Sequence, residues 1–205
     1  GDIRGSRHLP ERGAVQEQLR EALQRLQERF EPVLASGFAI TTGDEFQALL
    51  HDPAVGLEIV IAADEELGPD VRLRYGLGWG PLATSLLPTA VGMDGPCFHA
   101  ARAAIEHARA EQLWVAARGF DRADEEILDA VFALIGAVRA GWTTRQAEAV
   151  RLRRTTTTQR ELAERLDLDP STVSKRLKSA LYDEIVSAEN AASALLQRFT
   201  REVAP

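Results

Sequence analysis

The stretch FAITTGDEFQALL, residues 38–50, reads as a β-hairpin. β-favouring residues lead from Phe38 to Thr42, and a second short run follows from Phe46 to Leu50. Between them, Gly43-Asp44-Glu45 is turn chemistry: glycine adopts positive φ freely and Asp tolerates it. Acids at a hairpin tip are ordinarily just solvated. A second acid in a similar setting changes the weighing. Asp2, in GDIRGSR at 1–7, stands where a short strand would end, ahead of a glycine-containing turn.

Outward from the hairpin, Val15, Leu19, Leu23, Leu26, Phe30 and Leu34 fall at helical spacing and predict one long amphipathic helix after Pro10. Asp52-Pro53 opens a second helix carrying Leu57, Val60, Ile61 and Leu67, closed by Gly68-Pro69. VRLRYGLGW at 71–79 alternates, with Val71, Leu73, Tyr75, Leu77 and Trp79 facing one way, and is the strongest strand in the chain. A Gly/Pro-rich loop, a helix from about Phe98 to Arg109 and a short strand in QLWVAA follow. Because the first residue is Gly1 and not Met, residues are expected to precede it, and part of a strand with them. The resulting order, β-α-β-β-α-β-α-β, predicts an α+β fold with helices on one face of a sheet.

From Asp124 to Gly141 a further helix is expected, with Ile127, Leu128, Val131, Leu134, Ile135 and Val138 as its apolar stripe. Beyond Trp142 the pattern is entirely helical. We therefore expect a ligand-sensing α+β domain over 1–118, a linker helix over 119–141, a helical domain over 142–182 and a C-terminal helix over 183–205.

The chain has 205 residues and is 45% hydrophobic, enough for a sizeable core. Its single cysteine, Cys97, precludes an internal disulfide and fits a reducing compartment. No run approaches the roughly 20 apolar residues of a membrane span, and no secretory signal opens the chain, so a cytoplasmic, membrane-free protein is expected. Net charge is −7, unevenly placed: residues 143–180 hold nine basic against five acidic residues. A compact basic block in an acidic protein is the footprint of a nucleic-acid module. His51, His99 and His107 are dispersed without metal-ligand spacing, Cys97 reads as a packed small residue, and Ser6 has no base beside it.

The key C-terminal string is TTTTQRELAERLDLDPSTVSKRLKSAL, residues 155–181. Thr157 or Thr158 can cap a helix over Gln159–Leu166, with Glu161 in a capping-box position. Asp169 and Pro170 open a second helix after the short turn DLD. Leu162, Ala163, Leu166, Val173 and Leu177 supply the buried faces, leaving Ser171, Thr172, Ser174, Lys175 and Lys178 outward. This is the pattern of a helix-turn-helix. It resembles sigma-factor region 4 and response-regulator output domains. By that likeness Gln159 and Arg160 would touch phosphates of double-stranded DNA, and the five outward residues would enter the major groove. The tail helix, with Ile185, Ala188, Ala192, Leu195 and Phe199 on one stripe, packs on its own domain or supports a homodimer.

Two carboxylates on adjacent strand ends, Asp2 and Asp44, could hold Mg²⁺, and the turn with Ser6 and Arg7 could cradle phosphate. Here the chain resembles the class III nucleotidyl cyclase catalytic domain, and more distantly the GGDEF domain, in DIRGS, TTGDE, RYGLGWGPLAT and DGPCFHAARAAIEHA. The resemblance implies a cyclase-like, ferredoxin-like sheet. It places metal on Asp2 and Asp44, and a purine nucleotide or related phosphate ligand on Ile3, Gly5, Ser6, Arg7, Gly43, Glu45 and Arg102. Phe98 stands where the cyclase pattern has Asn, and Ile40 and Thr41 stand where it has the purine-reading Lys. The implied function is therefore a DNA-binding transcriptional regulator with a ligand-sensing domain more than an enzyme. The alternatives are an Mg²⁺-dependent cyclase or nucleotide hydrolase, and a catalytically dead dimerisation scaffold. Over nearly its whole length the chain is similar to the SatD family of bacterial proteins, in GDI-x-GSR, F-x-ITTGDEFQ-x-LL, R-x-G-x-G-x-G and DGP-x-F-x-x-AR-x-AI.

Overall fold

The computed structural model describes residues 1–5, 12–68 and 70–202; Ser6 and Arg7, expected in the phosphate turn, lie outside the described residues. The chain forms two compact units, Gly1–Ala133 with Ala192–Pro205, and Leu134–Ala191. Both limits fall within helices, so the expected linker and C-terminal helices are each divided between the units.

The first unit contains β1 (Asp2–Ile3), α1 (Arg12–Phe30), β2 (Leu34–Thr42), β3 (Glu45–Leu50), α2 (Gly56–Leu67), β4 (Leu73–Gly78), α3 (Pro96–Ala110) and β5 (Val115–Arg118). It also takes the first part of α4 (Arg122–Ala140) and the end of α8 (Tyr182–Glu202). The fold is mixed α+β. Its sheet has five strands in the order β2-β3-β1-β4-β5, antiparallel throughout except for the parallel pair β4-β5.

The main core lies on one face of this sheet. Leu19, Leu23, Leu26 and Phe30 recur every three or four residues along α1 and are buried, as helical periodicity requires. They meet Leu57, Ile59, Val60 and Ile61 of α2 and the alternating Leu73 and Tyr75 of β4. Tyr75 donates its hydroxyl proton to Asp64 at 2.8 Å, and the Trp114 indole donates to the other oxygen of the same carboxylate at 2.9 Å. One buried acid thus satisfies the polar ends of two core aromatics.

The expectation of helices on one face is corrected. Helix α3 packs on the opposite face, where Ala104 and Ala108 meet Ala116 of β5 in a separate cluster. Two glycines set its closeness. A Cβ on Gly76 would stand 2.4 Å from the Ala101 carbonyl oxygen, and one on Gly78 would stand 2.2 Å from the Ala101 nitrogen. Only a strand without side chains at both positions admits the helix backbone so near. Both sheet edges are covered, which blunts edge-to-edge pairing. The Ala117 N–H of β5 donates to Asp129 of α4 at 3.0 Å, and on β2 the Gly37 N–H donates to the Pro88 carbonyl at 2.9 Å.

The second unit holds the end of α4, α5 (Thr144–Thr155), α6 (Gln159–Leu166), α7 (Pro170–Ser179) and the start of α8. Thr143 and Gln146 form a reciprocal capping box at the start of α5. Leu162, Ala163 and Val173 are buried where α6 meets α7, with Leu152 of α5 packed on them. Asp167 ends α6 in the left-handed region at φ 51°, and the Leu168 N–H returns to the Ala163 carbonyl at 3.0 Å. The Trp142 indole donates to the Ala180 carbonyl at 2.8 Å, tying the start of α5 to the end of α7. Arg154 grips Glu189 with both carboxylate oxygens at 2.7 and 2.9 Å. The α4 stripe is narrower than periodicity predicts: Leu128 and Ile135 are fully buried, whereas Ile127 is 52% and Leu134 69% exposed.

Candidate functional site

Two places in the chain gather the residues that carry chemistry. The first lies where β1 joins β3 and β4. Sheet register sets Asp2 directly opposite Glu45 on one side and Arg74 on the other. Cross-strand partners project to the same face, so the three side chains meet there. Asp2 is 3% exposed. Its carboxylate accepts from Arg74 at 3.4 and 3.5 Å and from Arg109, near the end of α3, at 2.5 Å. Arg109 also stands 3.7 Å from Glu45. Its hydrogen bond to Asp2, and then the charges of Asp2, Glu45 and Asp44, raise its pKa. Burial pushes Arg74 the other way, against the pull of Asp2, and its Nε has no hydrogen-bond partner.

The sheet therefore brings Asp2, Glu45 and Asp44 to one end, with Glu45 standing in the position opposite Asp2. Gly43 is at the hairpin tip, where its carbonyl accepts from Gln16 at 3.1 Å, and Gly5 lies in the exposed turn after β1 at φ 71°. Ile3 is different: its side chain is part of the main core. Arg102 is exposed on α3, one face with Arg109 but two turns earlier, and touches neither carboxylate. The sequence reading missed Arg74 and Arg109. The signal for Arg74 was present in VRLRYGLGW, where alternation sends Arg74 to the face away from Leu73 and Tyr75. Arg109 was legible only as the residue seven places after Arg102.

A resident Mg²⁺ does not fit this donor set. Both Asp2 oxygens already face guanidinium groups, and no cluster of three or more His, Cys, Asp or Glu side chains among the described residues could hold a metal. Cations are supplied at this position by arginine.

The second place is the outward face of α6 and α7. Ser171, Thr172, Ser174, Lys175 and Lys178 are all exposed, as are Gln159 and Arg160. The Gln159 amide donates to the Pro170 carbonyl at 3.1 Å and so links the starts of the two helices. Arg160 pairs with Glu164 at 3.0 Å in a fully solvated i,i+4 bridge, an arrangement of small worth that other partners readily replace. Lys175 and Lys178 make no ion pair among the described residues. Thr158 caps α6 by accepting from the Glu161 N–H at 3.1 Å, while the Glu161 carboxylate takes the Thr157 N–H at 3.0 Å. That hydrogen bond holds the Glu161 carboxyl below its ordinary value.

A five-stranded mixed sheet with a carboxylate–arginine cluster at one strand end, in a chain that also carries a compact set of short helices, defines a two-unit α+β protein. The chain belongs to the SatD family, whose family model matches residues 1–196. No curated protein and no solved structure matches it. No described helix is long and apolar enough to cross a membrane.

Proposed function

We propose that this SatD family protein is a bacterial DNA-binding transcriptional regulator, with α6 and α7 as its helix-turn-helix and α7 as the helix entering the major groove. The observation that supports it most is the character of the α7 face. Short polar residues, Ser171, Thr172 and Ser174, alternate with Lys175 and Lys178, all exposed and with the lysines unpaired. Short hydroxyl side chains let a helix approach base edges, and free lysines reach phosphates or guanine acceptors. Gln159 and Arg160 at the start of α6 are the backbone-phosphate contacts of this reading. Paired half-sites would favour a homodimer. Mapping of bound sites across the genome of the host cell tests the reading. Discrete, recurrent sites lost in Lys175→Ala/Lys178→Ala support it, and uniform recovery of DNA for both proteins contradicts it.

We infer further that the sheet unit responds to a phosphate-bearing ligand such as a purine nucleotide. Arg102 and Arg109 lie seven residues apart on α3, about 10 Å along its axis, the reach of a short phosphate chain. The cyclase-like and ferredoxin-like reading of this unit is supported by its strand order, β2-β3-β1-β4. The arginines favour an anion directly, so a sensor is preferred here over a metal-dependent cyclase or hydrolase. Thermal unfolding with ATP or GTP, with and without Mg²⁺, separates these readings. A nucleotide-dependent rise in melting temperature, lost in Arg102→Ala, supports sensing. Product formation without a variant effect at Arg102 contradicts it.

A further inference from the structure

Between β3 and β4, beyond the N-terminal end of β1, the sheet has a gap. It opens into a cavity of about 480 Å³ whose walls include Ile59, Val60 and Ala63 of α2 on one side and Cys97, Ala101 and Ile105 of α3 on the other. We propose that this gap is the seat of an extended segment of the same chain running directly into Gly1, so that β1 is a full central strand and the cavity is filled by protein.

The register carries the argument. β1 is antiparallel to both neighbours, with Asp2 opposite Glu45 and Arg74. Gly1 continues that pairing: the Phe46 N–H donates to the Gly1 carbonyl at 2.9 Å, and the Gly1 nitrogen donates to the Phe46 carbonyl at 2.7 Å. There the pairing stops, yet β3 runs on through Gln47, Ala48, Leu49 and Leu50, and β4 runs on to Gly78. Strands flanking a third lie about 9.5 Å apart, the width of one more strand. The four residues of β3 beyond Phe46 set the length of the missing partner at four.

Backbone polarity points the same way. The N–H groups of Tyr75 and Trp79 go to the Trp114 and Arg118 carbonyls on the β5 side. By the alternation of a sheet, those of Gly76 and Gly78 then face the gap. On β3, Phe46 bonds toward Gly1, so Ala48 is the next to face it. Interior backbone groups without partners are rare in folded proteins. The α-amino group of Gly1 is itself pushed down to about 5 by burial, with Asp2 and Glu45 pulling it up; a peptide N–H suits that place and an ammonium does not.

The two walls fix the chemistry of the segment. The first and third residues ahead of Gly1 would face α3 above Gly76 and Gly78, and the second and fourth would face α2. Both walls are apolar, so the segment should be uncharged and rich in β-branched or aliphatic residues, as in strands buried on both faces. The cavity is on this account no ligand pocket.

The test compares the natural-length protein, purified from its own cells, with the chain beginning at Gly1, by intact mass and amide hydrogen exchange. We expect residues ahead of Gly1 and exchange at Ala48, Gly76 and Gly78 slowed about a hundredfold or more, as in the interior of a stable sheet. A natural chain that starts at Gly1 would overturn the proposal. So would a longer chain whose three amides exchange freely, or protection that grows with protein concentration, which would mean a strand from a second copy. Should the chain beginning at Gly1 fail to fold, the three amides of the natural-length protein decide alone.

Discussion

The acids and bases of the sheet unit are spoken for, and those of α7 are not. Asp2 is enclosed and gripped by two arginines, whereas Lys175 and Lys178 project into solvent without an ion pair. The contrast separates two uses of charge. Buried and paired, a charge specifies how strands meet, and its loss is felt as instability. Exposed and unpaired, it adds nothing to the fold and remains available to a partner. The acidic pair that drew attention in the hairpin thus belongs mainly to the first kind, and the lysines of a short helix to the second.

The largest effect should come from breaking the enclosed cluster. Asp2→Ala leaves Arg74 buried without its partner, and we expect a loss of about 3–5 kcal/mol in unfolding free energy, measured by urea denaturation. A loss near zero would mean that Arg74 reaches water and that the cluster is not structural. Next, Leu162→Ala opens a cavity where α6 meets α7, at a site with no exposure. It should cost about 2–5 kcal/mol in the second unit while leaving amide exchange in the sheet unchanged. A uniform effect on both regions would erase the distinction between them.

Lys175→Ala and Lys178→Ala reverse the pattern. Each should alter stability by less than about 0.5 kcal/mol yet weaken DNA binding across sequences or at particular base pairs. The smallest effect concerns Glu161. Its carboxyl is held below the ordinary 4.5, first by the Thr157 N–H. A depressed carboxyl stabilises above its unfolded value, and the contribution is lost as pH falls through the folded one. The stability difference between the protein and Glu161→Gln should therefore be present at pH 7 and shrink as pH drops below 4.5. A difference that persists in acid would remove the carboxylate from the cap.

Element order was legible because each element announces itself locally. Leu19, Leu23, Leu26 and Phe30 define a helix with one buried stripe, and the alternation from Val71 to Trp79 defines a strand. The turn at 167–169 was legible from Asp169-Pro170. The placement of α3 was not. It depends on Gly76 and Gly78 lying under Ala101, a contact between residues 23 or more positions apart, and a glycine in a strand does not say which helix it admits. Arg109 was missed for a related reason: an arginine near a helix end looks solvated until the strand that faces it is known. The α4 stripe was drawn too wide because Ile127 and Leu128 are equally apolar, and burial is decided by what lies opposite. Of the site residues, those of α7 followed from spacing alone, since a short amphipathic helix has only one outward face.

The central claim is that the α7 face binds duplex DNA, and fluorescence anisotropy of a labelled duplex titrated with the protein at several salt concentrations tests it most directly. We predict binding at low salt with log K falling linearly in log salt, and a slope shallower by about two in Lys175→Ala/Lys178→Ala, one phosphate contact for each lysine. No binding at low salt, or an identical slope in the variant, would contradict the account.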